Sequence, residues 1–179
     1  MKIFALSGSV REQSYNSGLL NALANISDES LQFEIYKNLK SLPIFDPALA
    51  DENTPQSVLA FKAFLAASDA VIISTPEYAH GVTGVLKNAL DWVVNAPELV
   101  LKPVAVMSVS TSGLGGLRAQ NALIMTLVAM NWNVVVEGSL NIPYASRRFN
   151  RDLSISDELT KKRMKISLDS LVRAAKDLR

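Results

Sequence analysis

Cysteine is absent from the 179 residues, and histidine occurs once, as His80. Without cysteine there is no disulfide, no thiolate metal site and no thiol redox chemistry. A single histidine rules out a catalytic triad, a histidine-rich metal cluster and a multi-histidine pH switch. An excess of one charge is lacking too. Eighteen Lys and Arg stand against 17 Asp and Glu, a net +1, so nothing at whole-chain level draws in nucleic acid or an anionic membrane. No apolar run approaches a membrane span, and Ile3–Leu6 is too short for a signal-peptide core. A cytoplasmic protein with neither a membrane nor a nucleic-acid partner is expected. Aromatics are scarce at 7% against 49% hydrophobic residues, which suits aliphatic strands under helices rather than disorder. No repeat or low-complexity linker divides the chain, so residues 1–179 are expected to form a single domain.

What is present is an alternation of strands and helices. Lys2–Leu6, Asp69–Thr75 and Pro103–Val109 are apolar runs with little alternation, as in strands buried on both faces of a parallel sheet. Leu31–Tyr36 alternates as a half-buried edge strand does, and Trp132–Glu137 reads as a fifth strand. Helices are expected to about Ile26, from Thr54-Pro55 to about Ala67, after Gly81, to about Met130, and from Ser156-Asp157-Glu158 onward. Five such units predict an α/β three-layer sandwich of the flavodoxin-like kind, with a five-stranded parallel sheet in the order 2-1-3-4-5.

Three loops follow strands one, three and four, and in that order their strands are neighbours, so the loops meet at one crevice. The first, Gly8–Ser17, runs into a helix N-terminus, where free N–H groups and the helix dipole favour an anion. Ser9, Ser14 and Ser17 offer hydroxyl protons, Asn16 an amide and Arg11 a full charge. The three glycines of a dinucleotide fingerprint and the Gly-Lys-Ser/Thr ending of a nucleoside-triphosphate loop are both missing. That points to a monophosphate. For the loop alone, the competing reading is a polar connection with a Ser or Asn helix cap. The second loop, Pro76–Gly81, offers backbone and the ring of Tyr78, and the third, Ser110–Gly116, offers glycine-flanked amides. A planar heterocycle with a phosphate tail fits, and FMN is the candidate for this strand order.

Gly8-Ser9, Arg11, Ser14 and Asn16, with Pro76-Glu77-Tyr78 and the run Gly84–Trp92, resemble the NADPH-dependent FMN reductase family, which includes soluble quinone, chromate and azo-dye reductases. The resemblance covers about residues 1–136. It implies that Ser9, Arg11, Ser14, Asn16 and Ser17 hold the FMN phosphate. It implies that Pro76, Glu77, Tyr78 and Ala79 border the isoalloxazine, with Ser110 and Gly113 on its other side. Two positions depart from the family: Ala79 stands where asparagine is usual, and Thr83 where proline is usual. Homodimers or homotetramers are also implied.

The expected activity is an NAD(P)H-dependent FMN-containing oxidoreductase. A reduced nicotinamide, NADPH or NADH, gives its hydride and departs, and a quinone or similar small acceptor then takes the same face. The rival is a flavodoxin-like electron carrier or a flavin-binding regulatory module without nicotinamide chemistry. A carrier usually shows partners an acidic face, which a chain at +1 lacks. No catalytic side chain is required, since the flavin carries the chemistry. His80 is either a substrate contact at the rim or an exposed loop residue. Lys87 and Asp91 are spaced as a solvated helix pair, and Asn88 can brace loop backbone. Arg147-Arg148 is a solvated turn or a site for the extra phosphate of NADPH. The helix ending near Met130 is apolar nearly all round: Ala119, Leu123, Leu127 and Met130 can face the sheet, while Leu117, Ile124 and Val128, and Ala122, Met125 and Ala129, form further stripes. A second subunit is expected to cover those, with Trp92 sharing the contact.

Overall fold

A computed structural model describes residues 1–50 and 53–178. Strands β1 (Lys2–Ser7), β3 (Ala70–Thr75) and β4 (Pro103–Val109) lie at the centre of a parallel sheet in the order β2-β1-β3-β4-β5. β2 (Gln32–Tyr36) is the edge on one side. Every residue of β3 and β4, and all of β1 beyond Lys2, is buried. Both faces are covered, so the unalternating apolar runs follow from the architecture.

Alternate residues serve the two layers. Ile3, Ala5, Ile72 and Met107 pack under α1 (Tyr15–Ile26) and α5 (Glu158–Asp177). Phe4, Leu6, Val71 and Ile73 pack under α2 (Gln56–Ala66), α3 (Gly84–Asp91) and α4 (Leu117–Ala129). α5 starts as expected, with the Asp157 carboxylate accepting from the Thr160 N–H. At α2, Pro55 is itself the cap residue and Thr54 precedes it, one position off the sequence reading.

The fifth strand differs most from expectation. β5 is only Asn133–Val134, a 3-10 turn follows at Val136–Gly138, and β6 (Leu140–Ile142) rejoins β4 at Met107–Val109. Serine hydroxyls make the break. Ser139 Oγ accepts the Val106 N–H and donates to the Val135 carbonyl, each at 3.1 Å, replacing ladder bonds. Ser167 Oγ of α5 donates to the Gly138 carbonyl.

Trp92 is another correction. It is 3% exposed, its ring meets Phe45 edge-on and its Nε1 donates to the Pro43 carbonyl. It belongs to the core, not to an exposed contact face. Asn88 does brace a loop: its Oδ1 accepts from the Phe45 N–H and its Nδ2 donates to the Pro43 carbonyl. Among the described residues, no helix is long and apolar enough to cross a membrane, and no cluster of three or more His, Asp or Glu is placed to hold a metal ion.

Candidate functional site

At the carboxyl ends of β1, β3 and β4 the three loops enclose a cavity of about 270 Å³. Ser9, Arg11, Ser14 and Asn16 line it from the first loop, Pro76, Glu77 and Tyr78 from the second, and Ser110 from the third.

The first loop is tied down at every turn. The Gly8 N–H donates to the Ser74 carbonyl, and Thr83 Oγ1 at the start of α3 donates to the Gly8 carbonyl, both at 2.8 Å. Proline at position 83 would have no hydroxyl to donate, so this departure from the family adds a buried bond. A Cβ on Gly8 would sit 2.8 Å from Leu86 Cδ2, which is why α3 can press so closely on the loop. Ser14 is the N-cap of α1, in extended conformation, with its Oγ accepting from the Asn16 N–H. That leaves the Ser14 hydroxyl proton for an anion. The other first-turn N–H groups lack intrahelical acceptors, and no acid lies in that turn. Arg11 is exposed, and its guanidinium has no ion-pair partner among the described residues.

Asn16 lines the crevice, and its side chain also bonds to the two strands beside it. Its Nδ2 donates to the Val109 carbonyl at 3.1 Å, while its Oδ1 accepts from the Val109 N–H at 3.2 Å and from Ser74 Oγ at 2.8 Å. These bonds join α1 to the ends of β3 and β4 and use one of the two Nδ2 protons. Ser17 Oγ likewise donates to Ser7 Oγ at 3.0 Å, and Ser17 lies outside the lining of the crevice.

In the second loop, Tyr78 and Gly81 pair antiparallel, N–H to carbonyl in both directions. Between them Ala79 and His80 both have positive φ, 49° and 62°. This is the backbone of a two-residue primed hairpin turn, which favours Asn-Gly. Ala79 is at its tip, off the cavity lining. Below the turn, Glu77 reaches α4. Its Oε2 accepts from the N–H groups of Arg118 and Ala119 at 3.0 and 3.2 Å. The cap residue of α4, Gly116, has no side chain to do this, so Glu77 caps the helix from outside. Burial works to raise the Glu77 pKa, but hydrogen bonds from His80 and the two N–H groups, with the Arg118 charge, hold it below the ordinary carboxylate value. His80 is 70% exposed, with Nδ1 at 2.9 Å from Arg118 Nη1 and 3.2 Å from Glu77 Oε1. That nitrogen serves one of them at a time, according to where its proton is.

The third loop is clamped by β6. Asn141 Nδ2 donates to Ser108 Oγ and to the carbonyls of Leu114 and Gly115. Gly115 and Gly116 have φ of 62° and 87°, and a Cβ on Gly115 would lie 2.5 Å from Asn141 Oδ1. Gly113 is not among the residues that line the crevice, and a Cβ on it would meet the Tyr144 hydroxyl at 2.8 Å. Gln13, Tyr15, Val109 and Thr111 line the crevice without having been singled out in sequence. Thr111 had a signal, its place beside Ser110 in a small-residue loop. Val109 had none.

Residues 1–147 match the family model described as NADPH-dependent FMN reductase. The chain is 35% identical over 178 residues to an NADPH:quinone oxidoreductase of Arabidopsis thaliana, covering 96% of this chain and 90% of that protein. It is also similar to the solved structure of FerB, a flavoenzyme NAD(P)H:(acceptor) oxidoreductase from Paracoccus denitrificans. The TM-score is 0.88 at 28% identity, over 98% of this chain and 97% of that one. A mutant flavodoxin from Pseudomonas aeruginosa, at 14% identity and a TM-score of 0.60 over 98% and 99% of the two chains, is similar in fold. A family match that spans both the phosphate-type loop and the Pro76–Tyr78 loop, on a sheet of the order 2-1-3-4-5, makes this chain a member of the NADPH-dependent FMN reductase family.

Proposed function

We propose that the chain, acting over its whole length 1–179 as one FMN-binding unit, is an NAD(P)H-dependent oxidoreductase that reduces quinones or similar small acceptors in two half-reactions. The observation that carries this reading is the single cavity on which the three loops converge. Its donor set fits FMN: two serine hydroxyls, a guanidinium with no ion-pair partner among the described residues and an acid-free helix N-terminus from the first loop, and the Tyr78 ring from the second. FMN, when bound, supplies hydride acceptance from nicotinamide and electron delivery to the acceptor.

The chain's own work is binding and orientation. Ser9, Arg11, Ser14 and the first-turn N–H groups of α1 hold the phosphate, while Asn16 keeps that cradle in register with β3 and β4. Pro76, Glu77 and Tyr78 present backbone and ring to one side of the isoalloxazine, and Ser110 and Thr111 to the other. Tyr78 is 53% exposed, so the crevice is open to an incoming nicotinamide. His80 and Arg118 stand at the rim as contacts for that substrate or for the acceptor.

Mixing the yellow protein with NADPH without air tests this. Bleaching within seconds is expected, and persistent yellow favours the electron-carrier reading. Colourless protein that fails to bind FMN removes the cofactor assignment altogether.

A homodimer or homotetramer goes with the reading. Ala119, Leu123, Leu127 and Met130 of the α4 region are buried against the sheet, whereas Met125 is 70% and Val128 52% exposed, with Leu117 and Ala129 also at the surface. An apolar face of this kind is normally covered by a partner. Light scattering should give a mass above the monomer, and Met125→Glu should lower it. A wild-type monomer at micromolar concentration defeats the assembly.

A further inference from the structure

Behind the phosphate loop, on the side of β2, lies a second cavity of about 430 Å³, larger than the flavin crevice. Ser9 and Arg11 line both, so the loop is the wall between them. The inner part is apolar, formed by Val10, Ile35, Leu39 and the 9%-exposed Tyr36. Its mouth is cationic. Arg11, Lys37 and Lys40 line it against one acid, Glu12. None of these three cations, nor Glu12, has an ion-pair partner among the described residues. Ser7 and Ser17, whose hydroxyls bond each other, add neutral donors and acceptors at the wall.

An apolar slot under a cluster of unpaired cations is matched to a flat base joined to phosphate. A bare inorganic anion has no use for the slot, and an apolar molecule has none for the cations. Lys37 and Lys40 supply point charges, and Arg11 a planar fork. The size is within the range of small-molecule pockets, about 300–1,000 Å³. The basic pair Arg147-Arg148 does not offer as much. Arg148 is spent on the Pro143 carbonyl, Asp157 and Thr160, and Arg147 lies over the Tyr144 ring.

We propose that this cavity is a subsite for an adenosine phosphate, read by Lys37 and Lys40, with Arg11 on the wall it shares with the FMN phosphate. The inference rests on the FMN reading of the neighbouring crevice, since the shared wall places the adenosine next to the flavin phosphate. Two sources carry this chemistry: the 2′-phosphoadenosine end of NADPH folded back over FMN, and the adenylate half of FAD in place of FMN.

The experiment uses wild-type protein and the double variant Lys37→Gln/Lys40→Gln. Both side chains are exposed, and matching thermal melts confirm folding. FMN is first titrated into both proteins. Failure here would be failure of the flavin reading, seen before the subsite is tested. Calorimetry with adenosine 2′,5′-bisphosphate on FMN-loaded protein then tests the nicotinamide source. Binding should weaken about tenfold or more in the variant, and the ratio of kcat/KM for NADPH over NADH should fall by a similar factor. Titration of flavin-free protein with FAD tests the cofactor source, where the variant should lose affinity for FAD but not for FMN. Inorganic phosphate that binds as tightly as the bisphosphate would overturn the adenosine assignment. Equal affinities of both proteins for the bisphosphate and for FAD would overturn the subsite.

Discussion

Two loops face each other across the crevice, and they are held in different ways. The first is fastened to three other elements: by Thr83 at the head of α3, by Ser74 in β3 and, through its own Asn16, to the Val109 backbone of β4. Its donors are fixed before any ligand arrives. The turn opposite, Tyr78–Gly81, has two consecutive non-glycine residues at positive φ, and one carboxylate, Glu77, secures its base to α4. A phosphate has one charge distribution, to be met in one place, and a rigid cradle meets it at little entropic cost. On the proposed reading, a flavin face visited in turn by nicotinamide and acceptor has no such single partner, and the turn beside it has two residues at positive φ instead of bracing.

Cutting the brace should produce the largest effect. Asn16→Ala leaves the Ser74 hydroxyl and both polar groups of the Val109 backbone unpaired, at positions 0% and 2% exposed. Each such orphan costs about 1–3 kcal/mol, so a stability loss of about 3 kcal/mol or more is expected from urea unfolding. FMN affinity should fall with it as the loop loses its register. A loss under about 1 kcal/mol would mean that the cradle is not held this way.

On the ring side the single tether should matter less, and its loss should depend on pH. Glu77→Ala removes the cap of α4 at a cost of about 1–2 kcal/mol, and Glu77→Gln keeps an acceptor but loses the charge favoured at a helix N-terminus. Because the Glu77 pKa is lowered in the folded protein, the carboxylate stabilises the fold above its unfolded pKa of about 4.3. That contribution is lost as pH falls through the lower, folded value. Urea midpoints of wild type and Glu77→Gln should therefore differ at neutral pH and converge in acid. Other carboxylates with lowered pKa values, Asp28, Asp152 and Asp157, titrate in both proteins and cancel in the difference. A gap that stays constant down through the acid range would show that the charge of Glu77 does not cap α4.

The same contrast explains what could be read from the sequence. Strand order and the meeting of the three loops follow from apolar runs without alternation, because a two-sided sheet leaves that pattern in the chain. Ser9, Arg11 and Ser14 could be recognised as donors because nothing distant claims them. Asn16 looked the same in sequence, and the bond its side chain makes to Val109, 93 residues away, was not legible there. The broken fifth strand was hidden for a similar reason. Trp132–Glu137 is continuously suited to a strand, and the interruption comes from the hydroxyls of Ser139 and Ser167 acting on partners that the pattern does not contain. Gly113 was placed near the ring by resemblance, and its close approach to Tyr144, where a Cβ would lie 2.8 Å from the hydroxyl, is a contact the pattern does not contain.

The smallest effect expected is a gain, and it bears on the strained side of the comparison. Ala79 has φ of 49°, where its Cβ crowds the backbone, and no side-chain contact of Ala79 offsets that among the interactions of the loop. Asparagine, usual in the family at this position, tolerates the left-handed region through its short polar side chain, and it is the preferred first residue of a primed hairpin turn. Ala79→Asn should therefore stabilise the protein by about 0.5–1 kcal/mol, and Ala79→Gly by somewhat less, because glycine also loses more chain entropy on folding. For a chain of this size, about 1–4 °C in Tm is the readable shift. Ala79→Val should move Tm the other way, since a β-branched residue is poorly tolerated at positive φ. The sign across the three substitutions is the test. If asparagine lowers Tm while valine is neutral, the turn is extended rather than left-handed, and the two sides of the crevice do not differ in strain.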